Sequence, residues 1–278
     1  MNINTLKITI LVDNCAGNGL LSEHGLSLWI ETGDRCILLD TGQGGALSPN
    51  AEKLGIDLSR TGALVLSHGH YDHTGGVSRV LRAASEVEVC CHPSAVVPRY
   101  GSDAGQPKPL GIQCESMRLL DGLPSQRMHW IQNGWELSPG IGLTGYVPRN
   151  SEYEDTGGDF FLDPELSRPD PIDDDMALWI RTRKGLVVCV GCCHSGLINT
   201  LSQALFQSGA PRLRAVIGGF HLVNADDRRM ENTVKALQAH SPDLIVPCHC
   251  TGHRAVDALK HAFGDGVIIG SSGRTFDF

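Results

Sequence analysis

The 278-residue chain has no apolar run near the roughly 20 residues that span a bilayer, so no membrane helix is expected. It has no Lys/Arg run either, and 31 acidic side chains against 23 basic ones leave a formal net charge of -8. Nucleic-acid binding depends on Lys and Arg meeting phosphates, so no nucleic-acid partner is expected. The opening Met-Asn-Ile-Asn-Thr-Leu-Lys lacks the basic start and long apolar segment of a signal peptide, which makes the cytoplasm the expected location. No linker divides the chain and no repeat runs along it. One domain over residues 1–278 is expected, with ample length for a core. Nothing in the sequence speaks to oligomeric state.

Glycine is abundant at 33 residues, and there are ten cysteines. The latter include the pairs Cys90-Cys91 and Cys192-Cys193 and the run Cys248-His249-Cys250. Adjacent cysteines rarely bridge, and without export signals thiols beside histidines point to metal chemistry before disulfides. Cys36, Cys90, Cys91, Cys114 and Cys189 read as small buried hydrophobes. Cys192, Cys193, Cys248 and Cys250 could jointly hold a structural zinc.

Periodicity predicts strands at Leu6–Val12 and Ala63–Leu66, and a hairpin of Leu26–Glu31 with Cys36–Asp40 around Thr32-Gly33-Asp34. A short helix is predicted over Pro49–Leu54, a helix at Val77–Ala84 and a strand at Val87–Cys91. From about 93 to 175 the pattern weakens into a loop-rich excursion with a few strands, marked by short apolar pieces such as Met128–Ile131 and Ile141–Tyr146. Order returns as a hairpin, Ala177–Arg181 with Leu186–Val190. Helices follow at Gly196–Gln207, Asp226–Ala239 and His253–Phe263, with strands at Leu213–Ile217, Leu244–Val246 and Val267–Ile269. Both halves run hairpin, metal-type residues, helix, strand. That order predicts an α/β chain built as an αββα four-layer sandwich.

The chemistry concentrates after the apolar strand that ends at Leu66. There the chain reads Ser67-His68-Gly69-His70-Tyr71-Asp72-His73, a turn that can aim several side chains into one cleft. Three imidazoles and a carboxylate suit Zn²⁺ or a similar first-row ion, and four such groups in six residues suit two neighbouring ions better than one. The bland alternative is a solvated polar loop. His221 sits just past a predicted strand and reads as catalytic, substrate-binding or structural. Asp173-Asp174-Asp175 reads as a solvated acidic run, or as the source of one carboxylate for a metal.

The run His68-x-His70-x-Asp72-His73 resembles the signature of the metallo-β-lactamase superfamily. The resemblance implies that His68 and His70 bind one metal, and that Asp72 and His73 bind a second. Leu38-Leu39-Asp40-Thr41-Gly42 is similar to the family's first motif, which implies that Asp40 orients the site. Leu244–Pro247 followed by Cys248-His249 implies His249 as a ligand of the second metal. Val187–Val190 followed by Gly191-Cys192 resembles the strand-Gly-Asp motif, but Cys192 stands where a bridging Asp is expected. Either the thiolate bridges instead or His194 reaches in. The family's Pro-Gly-His is absent, Pro139-Gly140-Ile141 being the nearest text. His194 is therefore the candidate for the missing ligand, a plain helix-start histidine being the other reading.

Segments along nearly the whole chain, from Val12-Asp13-Asn14 to Pro247–Gly252, resemble one subfamily of dihydropterin-ribofuranosylaminobenzene-phosphate synthases. This implies the joining of a dihydropterin pyrophosphate to a ribosyl-aminobenzene phosphate. It also implies that Asp13, Asn14, Glu23 and His24 touch substrate or support the ligands, with loop capping as the ordinary alternative. Two divalent ions are expected, Zn²⁺ foremost, with Mn²⁺, Fe²⁺ or Mg²⁺ as alternatives. They would lower the pKa of a bound water, neutralise a small anionic substrate, and leave Asp72 to assist proton transfer. The rival readings are a general hydrolase of a phosphoester, lactone or thioester with the same two metals, a non-catalytic binding module, and a di-iron redox protein with a flavin partner. The intact ligand run weighs against the binding module. Missing carboxylate ligands weigh against the redox protein.

Overall fold

The computed structural model describes every residue except 18 and 34. The turn residue Asp34 of the first hairpin therefore lies outside the described residues. The first half supplies β1 (Lys7–Val12), β2 (Ser27–Glu31), β3 (Cys36–Leu39), α1 (Leu47–Lys53), β4 (Ala63–Val65), α2 (Tyr71–Thr74), α3 (Val77–Ala83) and β5 (Glu88–Cys91). The middle supplies β6 (Tyr100–Asp103), β7 (Gln106–Pro109), α4 (Cys114–Asp121), β8 (Met128–Trp130), β9 (Trp135–Ser138), β10 (Ile141–Leu143) and β11 (Phe160–Phe161). The last part supplies β12 (Leu178–Thr182), β13 (Gly185–Val190), α5 (Leu197–Ser208), β14 (Leu213–Gly219), α6 (Asp227–His240), β15 (Leu244–Cys248), α7 (His253–Phe263) and β16 (Thr275–Asp277).

Two large sheets result, in the orders β16-β1-β2-β3-β4-β5-β8 and β15-β14-β13-β12-β10-β9. Side chains alternate across a strand, so each sheet buries two apolar faces. Ile8, Leu28, Ile37 and Val65 of the first sheet meet Leu178, Val187, Cys189 and Ile217 of the second in the central core. The opposite faces pack under helices. Leu38, Leu64 and Val89 lie beneath Leu47, Val77 and Leu120, and Val188, Val190 and Val216 lie beneath Leu201, Leu237 and Leu259. The layers are helix, sheet, sheet, helix, as the element order predicts. Among the described residues, no helix is long and apolar enough to cross a membrane.

Three expectations need correction, on Val267–Ile269, Cys114 and Asp72-His73. The segment 93–175 holds short strands as expected, and its apolar pieces extend both sheets, β8 pairing with β5, and β10 with β9 and β12. It also holds α4 and a small third sheet, β11-β6-β7. Val267–Ile269 forms no strand; Val267 makes an isolated bridge to Ile245, and the closing strand is β16, which pairs with β1. Cys114 is exposed, because it opens the amphipathic helix α4 on its outer side. Asp72 and His73 lie not in a simple turn but in the helical turn α2.

The topology fixes where chemistry can gather. In the first sheet β3, β4 and β5 run parallel, and in the second β13, β14 and β15 do. Parallel strands put their carboxyl ends at one edge, where ligands of open α/β sheets are bound.

Candidate metal centre

At this edge the chain leaves four strands through left-handed backbone at residues that are not glycine: Asp40 (φ 59°), Cys193 (φ 56°), His221 (φ 44°) and His249 (φ 48°). Such conformations cost on the order of 1–3 kcal/mol each and persist where surrounding structure enforces them. They turn side chains that follow β13, β14 and β15 into a cleft of about 430 Å³, and set Asp40 after β3 behind it, against Ser67 and His73.

His68, His70, Asp72 and His73 come from the loop after β4 and from α2, and all four are buried. His68 Nε2 and His70 Nδ1 face each other at 3.0 Å. His73 Nε2 lies 3.1 Å from Cys192 Sγ. His249 Nε2 lies 3.2 Å from Asp72 Oδ2, and so does His24 Nε2. Three donor groups share Cys192: His68 with His194, His73 with His249, and His221 with Cys250. Within each, the ligand atoms lie within 4.8 Å of one another.

The other ring nitrogens are occupied. Ser67 Oγ donates to Asp40 and so is left to accept from His68 Nδ1, at 2.9 Å. Asp40 Oδ2 accepts from His73 Nδ1 at 2.7 Å, the Thr156 carbonyl from His194 Nδ1 at 2.7 Å, and Asn14 Oδ1 from His249 Nδ1 at 2.8 Å. Each bond ties the outer ring nitrogen and leaves Nε2 facing the cluster, the arrangement that orients metal-binding histidines. The Nε2 atoms of His70 and His194 are buried with no hydrogen-bond partner. Buried orphans of this kind are costly unless a ligand satisfies them, so the donor set fits a metal.

Charge follows the same plan. Burial, reinforced by neighbouring imidazoles, pushes His68 and His194 well below the ordinary histidine value, and burial foremost brings His70 to about 3. These rings are neutral, with lone pairs available. Burial works against the Asp72 carboxylate too, but His73, His24 and His249 outweigh it and hold the acid well below its usual range. Of the paired thiols, burial and Cys250 drive Cys192 up. For Cys250, burial is outweighed by its bond to Cys192 and by the His221 and His249 imidazoles, which bring it down.

The remaining expected residues separate. Asn14 and His24 line the cleft. Asp13 does not; its carboxylate accepts from the backbone N–H of His249 at 2.7 Å and braces that strand end. Glu23 is also outside the cleft and accepts from the backbone of Gly44, Gly45 and Ala46 at the start of α1. Asp174 and Asp175 are buried rather than solvated, and neither joins a donor group. Asp174 accepts from the Gly69 N–H at 2.8 Å and pairs with Arg99, which is buried and also meets Asp170 at 3.1 Å. Asp175 accepts from the Ser195 N–H at 2.8 Å, beside His194. Gly69 must lack a side chain, because a methyl there would strike the Ala95 carbonyl oxygen.

Several cleft residues escape detection in the sequence. The Phe160 ring of β11 lies tilted 4.9 Å from His70 and edge-on 5.1 Å from His194, and Leu110 lines the same cleft. Both come from the weakly patterned middle of the chain, where no local signal marks them. The Cys192–Cys193–Cys248–Cys250 set does not assemble. Cys193 packs under α5 and Cys248 enters the central core, leaving Cys192 and Cys250 together, with His221.

Residues 23–174 match the Metallo-beta-lactamase superfamily. With the sandwich and the histidine cluster at its edge, the chain belongs to that superfamily, whose members generally bind divalent metals. It is similar to the 7,8-dihydropterin-6-methyl-4-(beta-D-ribofuranosyl)-aminobenzene-5'-phosphate synthase of Methanocaldococcus jannaschii, at 30% identity over 94% of this chain and 92% of that protein. It is also similar to the uncharacterized protein MJ0448 of the same organism, at 34% identity over 91% of this chain and 93% of that one. The crystal structure of Tm1679, a metal-dependent hydrolase of the beta-lactamase superfamily, shares its fold with a TM-score of 0.82 at 31% identity, over 98% of both chains.

Proposed function

We propose that this chain is a single-domain, metal-dependent enzyme acting on a small anionic substrate with two divalent ions, most naturally Zn²⁺ given its imidazole and thiolate donors. His68, His70 and His194 would hold one ion, and Asp72, His73 and His249 the other, with Cys192 between them in place of a carboxylate. The observation that carries this reading is the set of outer ring nitrogens tied by hydrogen bonds, while the inner Nε2 atoms of His70 and His194 are buried with no partner and those of His73 and His249 face Cys192 and Asp72. When bound, such ions lower the pKa of a water and stabilise charge on reacting oxygens.

The chain's own residues supply the rest. Asp40 and Asn14 keep the rings in register. Asp72, ionised, holds the half-exposed His24 within 3.2 Å at the mouth of the cleft, where the His24 ring can carry a proton between substrate and solvent. His221 lines the same wall, 4.3 Å ring to ring from His194, within reach of a substrate. Phe160 and Leu110 keep water from the imidazoles. Among the described residues, no Lys or Arg lines the cleft. Positive charge for an anion therefore falls to the ions and the histidines.

The similarity to the synthase supports a finer reading, in which a dihydropterin pyrophosphate is joined to a ribosyl-aminobenzene phosphate. The likeness to Tm1679 favours the second, hydrolysis of a phosphoester, lactone or thioester at the same centre. A screen of the metal-quantified protein against both substrate sets separates them. His68→Ala and His70→Ala are each expected to lose at least one metal equivalent and most activity. Full metal content in both variants, by elemental analysis, would overturn the assignment.

A further inference from the structure

The histidine centre leaves Cys250 without a part. This thiol is buried, and its Sγ lies 3.2 Å from Cys192 Sγ. Together with one ring nitrogen of His221 the two sulfurs form a donor group within 4.8 Å. The His221 ring is held in place, since Gly157 has no side chain where that ring packs, and its Nδ1 is buried without a partner. Space for Cys250 is likewise built in. A methyl on Gly219 would sit 2.6 Å from its sulfur. Three residues from three separate strand ends, after β13, β14 and β15, thus bring two sulfurs and an imidazole nitrogen within reach of one ion.

We propose that Cys192, His221 and Cys250 form a site for a thiophilic divalent cation, with Cys250 a thiolate ligand and Cys192 shared with the histidine centre. Two sulfurs and an imidazole are a soft donor set, which favours Zn²⁺, Co²⁺ or Cd²⁺ over Mg²⁺ or Mn²⁺. The site rests on the metal-centre reading through Cys192 but adds ligands outside the histidine run.

Co²⁺ added to the purified, reduced chain tests it, read by thiolate-to-cobalt charge-transfer absorption and by cobalt stoichiometry. The unaltered chain is expected to show the band, and Cys250→Ser to lower its intensity about two-fold, since one of two sulfur ligands is lost. His221→Gln is expected to shift the accompanying ligand-field spectrum. His68→Ala is expected to keep the band while binding less cobalt. Circular dichroism of each metal-free variant checks its fold. Cobalt uptake with a band unchanged by Cys250→Ser would overturn this site alone. No cobalt uptake by the unaltered chain would overturn the histidine centre and this site together. A chain isolated with two fewer titratable thiols and no band would assign Cys192 and Cys250 to a disulfide, and overturn the site.

Discussion

His73 differs from its neighbours in charge. Burial disfavours a protonated ring, but Asp40 and Asp72 outweigh it and raise the group from 6.5 to about 9 in the metal-free chain. The folded value lies above the unfolded one. The pairing therefore stabilises the metal-free fold fully below pH 6.5, and that contribution is lost as pH rises through about 9. A metal ion entering at neutral pH must displace this proton. The His73 proton alone is thus expected to make apparent metal affinity climb roughly tenfold per pH unit up to that point, and deprotonation of Cys192 on binding steepens the dependence. Calorimetry in buffers of different ionisation enthalpy is expected to register at least one proton released at pH 7; a count of zero would exclude His73 as a ligand. At this scale the sequence was informative for a plain reason. Four ligand-type side chains packed into six positions after a buried strand are bound to share one neighbourhood, and the fold brings them together in a single buried cluster. Arg99 was not legible in the same way, because its partner Asp174 is 75 residues distant along the chain, and the grouping of four cysteines survives only as the pair Cys192 and Cys250.

Elements were legible where periodicity was strong, as in β1, the β2–β3 hairpin and α6 with its Asp226 cap. In the middle of the chain β8 and β10 were visible only as short apolar pieces, since three residues carry too little period to fix their pairing. The third sheet was hidden for the same reason. The least visible device is the brace behind the His68–His70 loop, in which Asp174 holds the Gly69 N–H on one side and Arg99 on the other. Removing one partner of a buried ion pair strands the other charge, so Asp174→Ala is expected to cost about 3–5 kcal/mol of stability. It is also expected to lower metal content, as the loop loses its anchor. Chemical denaturation and elemental analysis would show both; a full metal complement in the folded variant would separate the brace from the site.

Over the whole molecule, the first sheet supplies the signature histidines and the second supplies Cys192, His194, His221 and His249. The small third sheet covers the cleft through Phe160 and reaches neither large sheet by strand pairing. Phe160→Ala is therefore expected to leave the metal content unchanged and to raise KM several-fold for any substrate turned over. A change in metal content would mean that Phe160 also shapes the centre. The left-handed strand ends carry a different consequence. Ala at position 249 keeps the steric conflict of φ 48° while glycine escapes it, so His249→Gly is expected to leave the metal-free protein about 1 kcal/mol more stable than His249→Ala. Thermal melts of the two would reveal it. In a duplicated copy relieved of selection for activity, drift at Asp40, Cys193, His221 and His249 would favour glycine, and glycines at these four places would mark a descendant that had given up its chemistry while keeping its fold.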